Sequence, residues 1–553
     1  MSSSPPRFSL LDEPWILCES LDGTPVELGL LDVFDGKHPI KRVRGDAPTQ
    51  DSAIVGLLLP IYWRAHTGDL TVFNGDNLPF STWFAEHLEQ ARSGVADEAV
   101  LNYLETYRDR FFLVGGPAPF MQTPTLETKN MEFLPLSRLI PEAESEYFSM
   151  REEDAAETVP LGEAARWIVT TQAYDYSGIK PGAIGDDRVK GGRGYPIGVG
   201  WSGMTGRTLI VGNTFAETLV YNTTADCISS PEDKPCWERP VDTAAVREFP
   251  APKGAADLLT WQTRRIRVRY EGDRATGVIV TNGDKIPDAG ANVFGDPLTP
   301  YRYSKNKSKK GHTVYYPQCF DTNRTMWRSL VPLVALDSDP QFTEKDRAPK
   351  RPRNLDSLSR VFNDLGIEET IPLELISASY GPNDSTPSTT VHAGLNLPSP
   401  ILQPENVELR DQIVSQATAT STAAVALGSF AGQLLQAAGG DYEFQPAPTD
   451  GALAELEHRF NAWLSTVDED QLDEQITQWQ DIVYETIIDK AETLLRGAGP
   501  KALVGRLIPP RQEGGKPWQL TAGTAFAQLR RKLLDTLSAC TASKQRKEKG
   551  NKS

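Results

Sequence analysis

The stretch RRIRVRYEGDRATGVIVTNGDK, residues 264–285, decides what kind of fold this chain has. Ile266, Val268 and Tyr270 alternate with Arg265, Arg267 and Arg269. That period of two puts successive side chains on opposite faces of a strand. The spacing predicts a strand with one apolar and one basic face, then a turn around EGDRATG. The chain returns through Val278-Ile279-Val280 to a second turn at Asn282-Gly283. Working outward, the neighbouring patterns are helical. AIVGLLLPIYWRAH (53–66) follows candidate caps at Thr49 and Asp51 and carries Pro60, which should kink it. STWFAEHLEQARSG (81–94) starts at Ser81 and stops at Gly94, and LGEAARWIVTTQAY (161–174) reads as a further helix. RFFLVG (110–115) is a short strand candidate.

Past residue 395 the character changes. LNLPSPILQPENVE (395–408) is a Pro-rich boundary. Beyond it lie helical patterns over about 405–438, from about 449, over about 470–496 and over about 521–540. Short links between long amphipathic helices predict antiparallel neighbours. The expected fold is therefore α+β. A large, irregular mixed N-terminal domain (1–398) precedes a C-terminal antiparallel four-helix bundle (399–541) and a basic, disordered tail (542–553).

The chain has 553 residues and a formal net charge of −17, too long for one core and too acidic to bind nucleic acid over its whole surface. No apolar run approaches the roughly 18 residues that a bilayer span needs. The N-terminus lacks a signal pattern, so the expected compartment is the cytoplasm, with no membrane partner. The five cysteines (Cys18, Cys227, Cys236, Cys319 and Cys540) form no CxxC pair, which argues against a cysteine zinc site and a disulfide framework. Neither a P-loop nor HExxH occurs, GWSG (200–203) is not GxSxG, and the six histidines are scattered. No cofactor, metal or catalytic residue is expected. The pair Asp186-Asp187 leaves open a metal-dependent nuclease.

Local charge runs against the global balance. Residues 264–312 hold eleven Lys and Arg against five Asp and Glu. A tip, YRYSKNKSKKGHTVYY (301–316), sets four lysines between tyrosines. GIKPGAIGDDRVKGGRG (178–194) holds six glycines and four basic residues. Glycines allow close backbone approach to a ligand, and Lys and Arg suit phosphate. Two readings stand open: one nucleic-acid surface, or separate solvated loops.

LLDEPWI (10–16), PFMQT (119–123), the ribbon ending in GGRGYP and a C-terminal helical bundle occur here in one order. In this the chain resembles the CasA family, the large subunit of the type I-E CRISPR Cascade surveillance complex. The resemblance implies a non-catalytic subunit at the end of the complex that holds the RNA 5′ handle. Such a subunit recognises the PAM in double-stranded target DNA through the minor groove. It promotes duplex opening and R-loop formation and helps recruit the helicase–nuclease. Its implied partners are the CRISPR RNA-containing Cascade subunits, namely the backbone, small and handle-binding subunits. Carried over, the glycine loop is Gly182, Ala183, Ile184 and Gly185, and the lysine finger is Lys285. The wedge is Asn383 and Asp384, where the family pattern has an amide, typically glutamine. A loop tying the subunit to the complex places Phe148. Some members of the family have a cysteine cluster that suggests a metal; this chain lacks it, and no zinc is expected. The alternatives are a stand-alone metal-dependent nuclease using Asp186 and Asp187, and a purely structural scaffold.

Overall fold

The computed structural model describes residues 7–70, 79–141, 157–248, 250–321, 325–509 and 517–545, with side chains throughout except at 325–328. It is mixed, with helices and small sheets. The chain divides into two compact units. The first takes in residues 1–322, 335–367 and 372–394, and the second 323–334, 368–371 and 395–553.

In the first unit the opening hairpin forms as the alternation predicts. Arg264–Glu271 pairs antiparallel with Arg274–Asn282, matching Ile266 to Val280 and Val268 to Val278. Gly272, at φ +59°, takes the left-handed conformation that so tight a turn needs. Pairing continues from the second strand to Val159–Pro160. The hairpin's free edge is covered by PFMQT. The Thr123 N–H donates to Ile266 O at 2.8 Å, and the Val268 N–H donates to Gln122 Oε1 at 3.0 Å. The stretch LLDEPWI is also interior: Leu10, Leu11, Trp15 and Ile16 are fully buried, and Trp15 Nε1 donates to Leu10 O at 2.9 Å. Both islands therefore satisfy backbone groups that would otherwise be buried without partners.

The expected helices are present with shifted ends. Pro48–Ala65 is helical and takes Pro48 in its first turn, with Pro60 inside it. Phe80–Ser93 ends at Gly94, whose left-handed φ of +67° closes the helix. Leu161–Tyr174 spans the expected residues.

One expectation fails in a way that bears on the site. The arginine face of the hairpin strand is not a solvent face, because Arg265 is fully buried and Arg267 half-buried; Arg264, on the opposite face, is fully buried too. Only Arg269, whose guanidinium lies 5.2 Å from the Phe133 ring centroid, is exposed. Period-two alternation assigns residues to faces but does not say whether the second face meets water.

In the second unit four long helices, Val407–Ala437, Pro446–Ser465, Leu472–Gly497 and Ala522–Thr536, follow the expected patterns. The first packs against each of the other three. Trp479 of the third is fully buried, and its Nε1 donates to Thr420 Oγ1 of the first at 3.0 Å. A short helix, Gly499–Val504, and the hairpin of Arg506–Ile508 with Trp518–Leu520 were not expected. Residues 541–545 are helical, and the rest of the basic tail lies outside the described residues.

Candidate nucleic-acid interface

The ribbon begins where the helix Leu161–Tyr174 ends. Asp175, buried just past that helix, gathers three cations. Its carboxylate accepts from Arg264 Nε, from Arg138 Nη2 at 2.9 Å and from Lys180 Nζ at 3.1 Å. Burial alone would raise the Asp175 carboxyl, but Arg264, Arg138 and Lys180 hold it well below the carboxylate range. Burial, together with the two guanidiniums, pulls Lys180 down to about 7 against the attraction of Asp175.

Arg264 also closes the ribbon at its base. Its Nη2 donates to Tyr176 O at 2.8 Å on one flank and to Gly198 O at 2.9 Å on the other. The first hairpin arginine is therefore a clamp on the loop. Between these flanks, Lys180–Pro181 pairs with Arg193–Gly194, and the Gly182 N–H donates to Gly192 O at 2.9 Å.

The four expected loop residues do not share one environment. Gly182 is buried, and a Cβ there would stand 2.4 Å from Val189 Cγ1. Ala183 turns inward beside Leu126, Ala244 and Ile279. Ile184 and Gly185 reach the surface. Gly185 has φ +95°, a conformation that side chains rarely adopt, and a Cβ there would meet only Ala244 Cβ, at 3.9 Å. The expectation of four residues at a ligand thus narrows to two. The cause is a long-range contact: the Ile184 N–H donates to Glu127 O at 2.8 Å, which turns Ala183 into the cluster below. Lys190 and Arg193 are exposed on the same ribbon.

Lys285 is exposed between two anchored neighbours. Asp284 is fully buried and accepts from Arg247 Nε at 2.7 Å and Arg265 Nη2 at 3.1 Å. Its carbonyl accepts from Trp261 Nε1 at 2.9 Å. Ile286, on the other side, packs with Trp201, Leu258 and Trp261. The second hairpin arginine therefore holds the backbone that carries Lys285. A Cβ on Gly283 would lie 2.3 Å from Gln262 O, so only glycine fits this turn.

The ribbon and the lysine segment meet. Arg188 Nη2 donates to Gly283 O at 2.8 Å, two residues before Lys285, and the same guanidinium pairs with Asp186 at 2.9 Å. Asn282 Nδ2 donates to Tyr195 O at 2.7 Å, a second tie. Burial would raise the Asp186 carboxyl, yet the hydrogen bonds from Arg188 hold it below its ordinary value. With Arg188 already on both of its oxygens, Asp186 is poorly disposed to hold a metal.

Asn383 and Asp384 sit at the exposed tip between Thr370–Tyr380 and Pro387–Pro398. Their φ angles are +59° and +53°. Asn and Asp are the non-glycine residues that tolerate this region best. The backbone thus accounts for a short acidic residue at the position where the resemblance leads one to expect glutamine. At the end of the first strand, Tyr380 Oη donates to Tyr174 O at 2.6 Å, docking the tip's stem on the helix that feeds the ribbon. The lysine-rich tip is likewise an exposed hairpin end on buried tyrosines, with Tyr301 Oη donating to Val293 O at 2.6 Å. Phe148 lies outside the described residues.

These features coincide with a known fold. The family model described as CRISPR-associated protein Cse1 matches residues 9–489. The chain belongs to the Cse1 family. The resemblance read in its sequence is thereby borne out. A crystal structure of Cse1 from Thermobifida fusca matches with TM-score 0.81 and 31% identity, covering 98% of this chain and 100% of that one. A curated CRISPR-associated protein CasA/Cse1 from Thermus thermophilus is 27% identical over 280 residues, 48% of this chain. The match spans about half (50%) of that relative's length. A chain in a structure titled CRISPR RNA-guided surveillance complex shares the Cse1 fold at TM-score 0.56 and 19% identity, covering 97% of this chain and 96% of that chain.

Sequence reasoning missed the roles of Arg188, Asp175 and Arg247. Arg188 was visible only as one basic residue of the ribbon, and its partner carbonyl lies 95 residues away. It also missed that His66 and His87 meet, with ring centroids 4.8 Å apart.

Proposed function

We propose that this Cse1 chain is the large, non-catalytic subunit of an RNA-guided surveillance complex. In this role it reads the PAM of duplex DNA from the minor groove and promotes duplex opening and R-loop formation. It also helps recruit a helicase–nuclease. Its four long C-terminal helices form an antiparallel bundle that serves the complex's other subunits. The observation that carries the DNA reading is the Arg188 brace, which sets the exposed Ile184-Gly185 turn beside the segment that presents Lys285. A minor groove about 6 Å wide admits backbone more readily than bulky side chains. An ammonium suits the acceptors on its floor, thymine O2 and adenine N3. Asn383 and Asp384, on a stem docked to the same helix end, act as the wedge. The nuclease reading is the weaker, because the Asp186 carboxylate is already paired with Arg188.

Gly185→Val tests this reading. A branched side chain at φ +95° strains the turn by roughly 1–2 kcal/mol. In the assembled complex, affinity for PAM-bearing duplex is expected to fall about 5–30-fold. Affinity for a target already opened into single strand should change less than twofold (~0.4 kcal/mol), because guide pairing then carries recognition. Equal losses on the two substrates would show that the turn only supports the fold.

A further inference from the structure

We infer that His66, Asp69 and His87 form a binding site for one divalent transition-metal ion of the zinc class. His66 caps the helix Pro48–Ala65, Asp69 lies in the turn after it, and His87 stands in the middle of the helix Phe80–Ser93. One ligand atom from each lies within 4.8 Å of the others. His66 Nδ1 is 2.7 Å from Asp69 Oδ2, and His87 Nε2 is 3.6 Å from the same oxygen. Zinc holds nitrogen and carboxylate ligands at roughly 2.0–2.2 Å, so tetrahedral donors stand about 3.3 Å apart. The two contacts to Asp69, 2.7 and 3.6 Å, bracket that value.

Proximity alone would not carry the assignment; the outer partners of the two rings do. His87 Nδ1 lies 2.8 Å from the Trp83 carbonyl, which only accepts. The hydrogen therefore sits on Nδ1, and the Nε2 lone pair faces Asp69. His66 Nε2 lies 3.1 Å from Asp97 Oδ2, so that nitrogen keeps its outward N–H, while Nδ1 faces Asp69 and an ion would take the place of the Nδ1 proton. Each imidazole thus gives its outer N–H to an acceptor and turns its other nitrogen toward one carboxylate, the arrangement that orients histidine ligands around metals. Ring packing fixes both planes: Trp83 stacks on His87 at 4.1 Å, and Tyr62 lies 4.6 Å from His66. Two imidazoles and one carboxylate leave a coordination position for water. A cavity of about 240 Å³ lined by Tyr62, His87 and Asp97 gives the ion a way in. Such an ion would pin the end of one helix to the middle of the next. A second group, Asp32, Asp35 and His38, lacks these outer acceptors, and Lys37 Nζ already lies 3.3 Å from Asp35.

The test uses the full chain, freed of any affinity tag and treated with chelator, titrated with Zn²⁺ by calorimetry and with Co²⁺ by visible absorption. One ion should bind per chain, and Co²⁺ should give the intense ligand-field bands of a four- or five-coordinate site. His87→Gln, checked for folding by circular dichroism, should lower Zn²⁺ affinity at least tenfold and abolish the Co²⁺ bands. His38→Ala should leave both unchanged. Absence of saturable one-to-one binding, or of the Co²⁺ bands, in the unaltered chain overturns the site whatever the variants do. So does binding that survives His87→Gln, or that is lost in His38→Ala.

Discussion

Asp175→Ala is expected to cost about 3–5 kcal/mol of stability, the range for removing one partner of a buried ion pair. The carboxylate pairs with Arg264, Arg138 and Lys180 at once. Arg264 is fully buried and cannot turn to water. Removing the anion leaves the buried Arg264 and Lys180 facing each other without it, with Lys180 resting on the Tyr176 ring at 3.8 Å. The damage should be local first. Arg264 holds both flanks of the ribbon, so their backbone amides should exchange hydrogen faster before the rest of the unit opens. Urea unfolding gives the magnitude and amide exchange gives the location. A loss under about 1 kcal/mol would mean that the cations are neutralised elsewhere.

In the assembled complex, Lys285→Ala should remove roughly 1–3 kcal/mol of discrimination among PAM variants while leaving the salt dependence of duplex binding nearly unchanged. A lysine on a base edge distinguishes sequences. One on a phosphate does not, and its loss lowers the salt slope by about one unit. On the proposed function Lys285 takes the first role, because Asp284 and Ile286 are both buried and fix the backbone on either side of it. Lys309→Ala, at the exposed tip, should show the second behaviour. Affinities across a PAM panel at two salt concentrations separate the two. An unchanged PAM ranking for Lys285→Ala, with a smaller slope, would move the finger to another residue.

Local chemistry was legible in the sequence and long-range chemistry was not. The hairpin at 264–282, the stop at Gly94 and the helix at 161–174 follow from period, turn residues and caps, which act within a few residues. The position of Lys285 just past the Asn282-Gly283 turn was legible for the same reason, whereas Asn383 and Asp384 came only from the family resemblance. The role of Arg265 was misread and that of Arg264 was not read at all. Alternation placed Arg265 on a basic face, and only tertiary packing reveals that this face is covered at Arg265 and that both guanidiniums hold loop carbonyls. That Ala183 faces inward was not legible, because it depends on a bridge to Thr128, 55 residues away. His66 and His87 went unpaired because 21 positions separate them and their meeting depends on how two helices cross.

The bond from Arg188 to Gly283 has a further consequence. On the proposed function, it fixes the gap between the turn and the ammonium before DNA arrives, so little ordering entropy is lost on binding. A gauge of fixed width responds to the width of what enters it. Minor-groove width varies with sequence, and A-tracts are narrow. The subunit would therefore rank flanking DNA by shape as well as by base identity. Lengthening the ribbon by a single residue would reset that ranking without touching any residue that contacts a base.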